Sequence, residues 1–167
     1  MVYINHEYKF IFIENPKSGS TTIYKALEKI FGSNQRKTPE EAHKTCREIK
    51  EMLPTEWETY LKITTWRDPY RRLCSSVNYP KHYEGHYNSV EEFLIHRNPS
   101  CVYCKPQEEF TYECDVILKL ENLQNDFNKL CHRLGVKPIT LTCNNHQDTP
   151  KRFFGLLKIK ESIDINV

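Results

Sequence analysis

The residues of this chain most suited to chemistry form a short loop with one lysine, one glycine and four hydroxyl side chains. The loop spans residues 16–22 and reads Pro-Lys-Ser-Gly-Ser-Thr-Thr. A glycine lets the backbone approach a ligand closely, hydroxyl groups donate hydrogen bonds, and a lysine adds a positive charge. The loop therefore predicts a site for a phosphate-like anion. Its candidate ligands are Lys17, Ser18, Gly19, Ser20, Thr21 and Thr22.

The elements expected on either side of the loop support this prediction. Residues 8–14 form an apolar run typical of a buried strand, and apolar residues at helical spacing follow the loop as far as Gly32. The amides at a helix N-terminus converge where the helix dipole favours negative charge. The Gly-x4-Gly-Lys-Ser/Thr loop of nucleoside triphosphatases occurs nowhere in the sequence. Without a second motif, the loop is also explained as a turn that caps its own helix.

A second motif begins at Arg67 and continues through Asp68 and Pro69 to Ser75. It follows an expected strand at residues 60–66 and opens a helix, with Asp68 as N-cap and Pro69 as the first helical residue. Ser75 lies about two helical turns beyond Arg67, so a guanidinium and a hydroxyl could hold one phosphate together. On its own, an Arg-Asp-Pro string is usually structural. Two such motifs in this order, each at a strand–helix junction, are much more specific for phosphate binding than either motif alone.

Together these motifs resemble the donor-binding blocks of sulfotransferases that use 3′-phosphoadenosine 5′-phosphosulfate. The resemblance is to the carbohydrate-type branch of bacteria, viruses and the Golgi, and the chain is identified as a small member. Residues 119–123, Lys-Leu-Glu-Asn-Leu, follow a third expected strand at 115–120 and resemble a further block. The resemblance implies a single α/β domain over residues 1–167. Its expected architecture is the P-loop-NTPase-like sulfotransferase fold, a central parallel sheet flanked by helices.

The resemblance also implies roles for the donor-binding residues. Lys17 would stabilise the leaving phosphate, and the rest of the loop would bind the 5′-phosphate. Arg67 and Ser75 would bind the 3′-phosphate, and Lys151 and Arg152 would close over the donor. The sulfuryl group would move by in-line displacement, with no metal required.

His43 is the expected general base. In carbohydrate-type members a histidine upstream of the arginine motif takes the proton of the acceptor hydroxyl, and His43 matches that position. We expect it in the first turn of a helix capped by residues 38–41, Thr-Pro-Glu-Glu. The implied acceptor is a hydroxyl, with a carbohydrate favoured over a small alcohol, a phenol or a tyrosine side chain.

The cysteines leave two interpretations open. Two pairs of residues have the ligand types and local spacing of a structural zinc site, although free thiols explain them as well. The candidate ligands are Cys101, Cys104, Cys143 and His146.

Composition narrows the remaining possibilities. The formal net charge is +2 over 167 residues, so no global electrostatic argument favours nucleic acid. We expect neither a signal peptide nor a membrane span, and therefore a soluble, cytoplasmic protein. The alternatives are a small-molecule or nucleotide kinase of related fold and a non-catalytic module that binds adenosine 3′,5′-bisphosphate.

Further helices are expected at residues 89–97, from residue 122 to Gly135, and after Pro150, with a short strand at 139–142.

Overall fold

Four short strands form one mixed sheet in the computed structural model, which describes residues 2–33, 43–77, 90–96 and 102–142. They are β1 (Val2–Asn5), β2 (Phe10–Ile13), β3 (Leu61–Trp66) and β4 (Val116–Lys119), in the spatial order β1-β2-β3-β4. Strands β2, β3 and β4 are parallel, as the sequence predicts. The sequence did not predict β1, an additional edge strand that runs antiparallel to β2 and makes the sheet mixed. The turn of residues 6–9 between them is too short for a parallel crossover.

Seven helices accompany the sheet in the described part of the chain. The helices expected after the loop, after Asp68, near residue 90 and after Asn122 are all present. Two short helices, at residues 54–59 and 108–111, were not expected. The bounds are α1 (Ser20–Phe31), α2 (Cys46–Met52), α3 (Pro54–Thr59), α4 (Pro69–Val77), α5 (Val90–His96), α6 (Glu108–Thr111) and α7 (Leu123–Arg133). Single 3-10 turns lie at Val102–Cys104 and Leu120–Asn122. Among these described helices, none combines the length and the apolarity that crossing a membrane requires.

Strand β2 lies at the centre of two hydrophobic cores. Phe10 and Phe12 pack on one face of the sheet with residues of α1 and α7, while Ile11 and Ile13 pack on the other with residues of α2, α3 and α6. All four side chains are fully buried, which explains why the strand is uninterruptedly apolar rather than alternating. The two helix layers fix the sheet between them. The carboxyl ends of β2, β3 and β4 therefore share one edge, where open α/β sheets bind ligands.

The strand expected at residues 139–142 is absent, and the backbone there is irregular. The side chain of Gln124 in α7 takes the hydrogen bonds that a neighbouring strand would provide. Its Nε2 donates to the carbonyl of Ile139 at 3.1 Å, and its Oε1 accepts from the amide of Leu141 at 2.8 Å. The expected helix after residue 150 and the capping motif at 38–41 lie outside the described residues.

The turn between α6 and β4 carries an acidic residue that ties α2 and α3 to the sheet. Glu113 Oε2 accepts hydrogen bonds from Lys50 Nζ at 2.9 Å and from Trp57 Nε1 at 2.8 Å. These two bonds lower the pKa of the Glu113 carboxyl to about 2. A carboxyl whose pKa is lowered by folding stabilises the fold above its ordinary pKa, and this contribution is lost as the pH falls through the folded value.

We expect Glu113→Gln to reveal that contribution, because glutamine keeps an acceptor for Trp57 and removes only the charge. The thermal midpoint should fall by about 1–2 °C at pH 7. The difference from wild type should be smaller at pH 3, within the interval between the ordinary pKa of 4.5 and the folded value of about 2. Melting followed by circular dichroism measures both, with the more exposed Glu58→Gln as control. An equal loss at the two pH values would contradict the assignment.

Candidate functional site

The loop of residues 15–19 follows Glu14, leads from the end of β2 into α1 and ends in a glycine with left-handed backbone. Gly19 is the N-cap of α1 and has φ of 85°, a conformation that other residues rarely adopt. A Cβ built at this position would lie 2.6 Å from Leu120 Cδ1, so a larger residue would also displace Leu120. The first turn of α1 contains no acidic residue, and Gly19 has no side chain to cap the first amides. This helix N-terminus is therefore suited to an external anion.

Three successive carbonyls of the loop accept hydrogen bonds from side chains of the protein. Ser18 Oγ donates to the carbonyl of Asn15 at 2.7 Å, Arg72 Nε to that of Pro16 at 2.8 Å, and Arg67 Nη1 to that of Lys17 at 3.3 Å. The two arginines come from the β3–α4 junction and from α4. The carbonyl oxygens of residues 15–17 therefore already have hydrogen-bond donors within the protein.

Two cationic residues, Lys17 and Arg67, come together at this edge of the sheet. Burial, followed by repulsion from Arg67, lowers the pKa of Lys17 to about 8. Burial also lowers the pKa of Arg67. Among the described residues, the buried Nε of Arg67 has no hydrogen-bond partner. An anion bound beside these cations would compensate the repulsion and the desolvation.

The hydroxyl groups of the loop differ in their accessibility. Ser18 is fully buried, and its Oγ lies 2.5 Å from Thr65 Oγ1 in addition to its bond with the carbonyl of Asn15. Ser18 can therefore offer a ligand only its backbone amide. Ser20 is buried at the first position of α1, whereas Thr21 is exposed and Thr22 is half-buried.

The arginine motif has the local structure that the sequence predicts. Asp68 Oδ1 accepts from the amide of Arg71 at 2.9 Å, and Pro69 opens α4. The amide of Asp68 donates to Glu121 Oε1 at 3.2 Å, which connects this motif to the end of β4. Ser75 lies in the second turn of α4 and is half-buried.

His43 does not lie in the first turn of a helix, so that expectation is wrong. Helix α2 begins at Cys46, and its N-cap is Thr45. Thr45 Oγ1 accepts from the amide of Glu48 at 3.3 Å, and Glu48 Oε2 accepts from the amide of Thr45 at 2.7 Å, which is a complete capping box. His43 precedes this cap and has φ of 65°.

The imidazole of His43 nevertheless lies beside the loop. Its Nδ1 is 2.8 Å from the carbonyl oxygen of Glu14, and its ring packs edge-on against Tyr103 with 5.7 Å between centroids. A carbonyl oxygen only accepts, so Nδ1 carries the hydrogen, and in the neutral form of the ring the lone pair is on Nε2. That is the form in which a histidine can take a proton.

Three buried polar residues that sequence reasoning did not assign to the site connect its two halves. Asn15 Nδ2 donates to the carbonyl of Thr65 at 2.8 Å and to Gln107 Oε1 at 3.1 Å. The only sequence signal for these contacts was that Gln107 follows Pro106, a pair resembling one in carbohydrate-type sulfotransferases. Asn15 and Thr65 looked like ordinary residues at strand ends.

Five predicted site residues lie outside the described part of the chain. Lys151 and Arg152 lie outside the described residues, as do three of the four candidate zinc ligands, Cys101, Cys143 and His146. The fourth, Cys104, ends a 3-10 turn, and its side chain is not described. Within the described ranges, no three His, Cys, Asp or Glu side chains group as metal ligands would. Also within these ranges, Cys46, Cys74, Cys114 and Cys131 form no disulfide.

Fold and site define an α/β protein with a strand–loop–helix unit whose uncapped helix N-terminus suits an anion, and a histidine lies beside it. Residues 1–79 match the model of the sulfotransferase family, and this segment contains both motifs and His43. The match supports membership of the sulfotransferase family, whose general activity is sulfuryl transfer, and it covers residues 1–79 of the 167. Comparisons with curated proteins and with solved structures gave no match.

Proposed function

We propose that the chain transfers a sulfuryl group from 3′-phosphoadenosine 5′-phosphosulfate to an acceptor hydroxyl, with a carbohydrate as the favoured acceptor. The observation that carries the proposal is that Arg67 donates to the carbonyl of Lys17 and that His43 contacts the carbonyl of Glu14, both in the segment that leads into α1. Two cationic groups, uncapped helix amides and a histidine are the parts that such a transfer needs. The donor, when bound, supplies the sulfuryl group and a phosphate as leaving group.

The anion-binding groups fit a donor with two phosphates. The amides of the first turn of α1 and the left-handed Gly19 favour the 5′-phosphate, and Lys17 supplies a charge beside it. Arg67 has a buried Nε–H without a partner among the described residues, so this donor is available for the 3′-phosphate. Ser75 in α4 is proposed as a further ligand of the donor, as are Lys151 and Arg152, which lie outside the described residues.

His43 is proposed as the general base. The hydrogen on Nδ1 is held by the carbonyl of Glu14, so the ring keeps its orientation and its Nε2 can take the proton of an attacking hydroxyl. Because Glu14 directly precedes the donor loop in the chain, the same backbone fixes the base and the anion site. Lys17 would stabilise the charge that develops on the leaving phosphate oxygen.

Titration with adenosine 3′,5′-bisphosphate tests the donor site. We expect wild type to bind it with micromolar or better affinity. Arg67→Ala should weaken binding about tenfold to a hundredfold, because a charge-assisted contact with phosphate is lost. Arg47→Ala, which removes an exposed arginine of α2, is the matched control and should bind like wild type. Absence of binding by the wild-type chain would overturn the proposed function.

Transfer of radiolabelled sulfate from the donor to a panel of acceptors tests the reaction itself. The panel should contain oligosaccharides, small alcohols, phenols and tyrosine peptides. Labelled oligosaccharide is the expected product. A chain that binds adenosine 3′,5′-bisphosphate and labels no acceptor would instead be a non-catalytic binding module.

A further inference from the structure

The carboxamide of Gln107 lies between the ends of β2 and β3, where it is almost completely buried. Its Oε1 accepts from the backbone amide of Arg67 at 3.1 Å, and its Nε2 donates to the backbone carbonyl of Arg67 at 2.7 Å. The same Oε1 accepts from Asn15 Nδ2 at 3.1 Å. One side chain therefore binds both backbone groups of Arg67 and the residue that begins the donor loop.

Through these hydrogen bonds, Gln107 takes the place of a strand partner at the residue that follows β3. Trp66 is the final residue of β3 that pairs with β4. At the next residue, Arg67, a neighbouring strand would offer the backbone one hydrogen-bond donor and one acceptor. The carboxamide of Gln107 offers the same two groups. The backbone of Arg67 is thus fixed although it lies outside the sheet.

The fixed backbone matters because the Arg67 guanidinium reaches back to the donor loop. Arg67 Nη1 donates to the carbonyl of Lys17, and Asn15, the other partner of Gln107, is joined to the carbonyl of Thr65. Gln107 consequently sets the position of the guanidinium relative to the loop, without any charge of its own.

We propose that Gln107 is a positioning residue of the donor site, acting through Arg67. The inference rests on the proposed function, since it assigns to Gln107 the alignment of the two phosphate-binding halves. A carboxamide suits this role better than a carboxylate. Glutamate could not donate to the carbonyl of Arg67, and its charge would compete with the anion for Arg67 and Lys17.

The test compares Gln107→Ala with Gln124→Ala in titrations with adenosine 3′,5′-bisphosphate. Gln124 is the matched control because its carboxamide also binds one backbone amide and one backbone carbonyl, but in the segment 139–141. We expect Gln107→Ala to weaken binding about tenfold or more, because the guanidinium is no longer held. Gln124→Ala should bind like wild type even if its thermal midpoint falls.

A double-mutant cycle with Arg67→Ala separates positioning from general loss of structure. If Gln107 acts through Arg67, then Gln107→Ala should cost little further affinity in the Arg67→Ala background. Gln107→Glu provides an isosteric second variant in case the alanine variant does not fold, and it too should bind at least tenfold more weakly.

The possible results distinguish this inference from the proposed function. Wild-type affinity in both Gln107 variants, or additive losses in the cycle, would overturn the positioning role and leave the donor site intact. Failure of the wild-type chain to bind adenosine 3′,5′-bisphosphate would overturn the proposed function and this inference with it.

Discussion

Lys17→Met is expected to lower the turnover number of sulfuryl transfer about a hundredfold or more. Lys17 stands two residues before the N-cap of α1, and its ammonium group is close enough to Arg67 to be repelled by it, so we expect it to oppose the negative charge that grows on the leaving phosphate. Methionine keeps the length of the aliphatic chain and removes only the charge. Turnover should be measured with saturating donor, so that weaker binding does not mask the chemical step.

Lys25→Met is the matched control, because Lys25 is an exposed lysine of the same helix. It should retain wild-type turnover. A Lys17→Met enzyme with unchanged turnover would contradict the proposed stabilisation of the leaving group. Lys17→Ala should show the same loss as Lys17→Met, since both remove the ammonium group.

The pH dependence of donor binding gives a second readout of the same residue. With its pKa lowered to about 8, Lys17 loses its charge in the unliganded protein as the pH rises through that value. A bound anion favours the charged form, so binding above about pH 8 should be accompanied by proton uptake and should weaken as the pH increases. Calorimetric titration at pH 8.5 in buffers of different ionisation enthalpy measures this uptake, which Lys17→Met should lack.

His43→Asn is expected to reduce turnover about a hundredfold to ten-thousandfold while leaving the affinity for adenosine 3′,5′-bisphosphate unchanged. Asparagine tolerates the positive φ of this position, and its amide can still donate toward the carbonyl of Glu14. The substitution therefore removes the proton-accepting nitrogen with little disturbance of the backbone. His43→Ala should lose as much turnover, with a further cost in stability.

The matched control for His43 is His132→Asn, which changes an exposed histidine of α7. Wild-type turnover in His43→Asn would show that another group accepts the proton. A parallel loss of bisphosphate affinity would instead show that the ring supports the loop at Glu14 and does not act as a base.

Local patterns predicted the two motifs well because each is encoded within about ten residues. A buried strand, a Gly-containing loop and an amphipathic helix follow one another at residues 8–32, and Asp68 and Pro69 mark the start of α4 by ordinary capping chemistry. Such signals need no knowledge of distant parts of the chain. The α/β class followed from the same alternation of strands and helices.

The expectations that failed depended on longer-range contacts or on competing local signals. Thr45 and Glu48 form a capping box closer to His43 than the one expected at residues 38–41, so His43 precedes a helix instead of beginning it. The edge strand β1, which has no local signal in the sequence, is defined by the antiparallel pairing of its four residues with β2. Residues 139–142 fail to form a strand because the side chain of Gln124 binds their backbone.

The polar connections within the site were beyond sequence reasoning for a similar reason. Asn15, Thr65 and Gln107 are separated by as many as 92 positions in the chain, and they meet only after the sheet has formed. A buried polar residue at a strand end can form hydrogen bonds with many different groups, so the residue type alone does not predict its partner.

The hydrogen bonds to the carbonyls of Asn15, Pro16 and Lys17 affect the kinetics with which a ligand binds. Because side chains already hold these three backbone groups, the loop has its binding geometry before any ligand is present. Little conformational entropy then remains to be lost on association, so the donor should enter by a simple one-step encounter. Rapid-mixing experiments should accordingly give an observed rate that rises linearly with ligand concentration, without the plateau of a slow rearrangement.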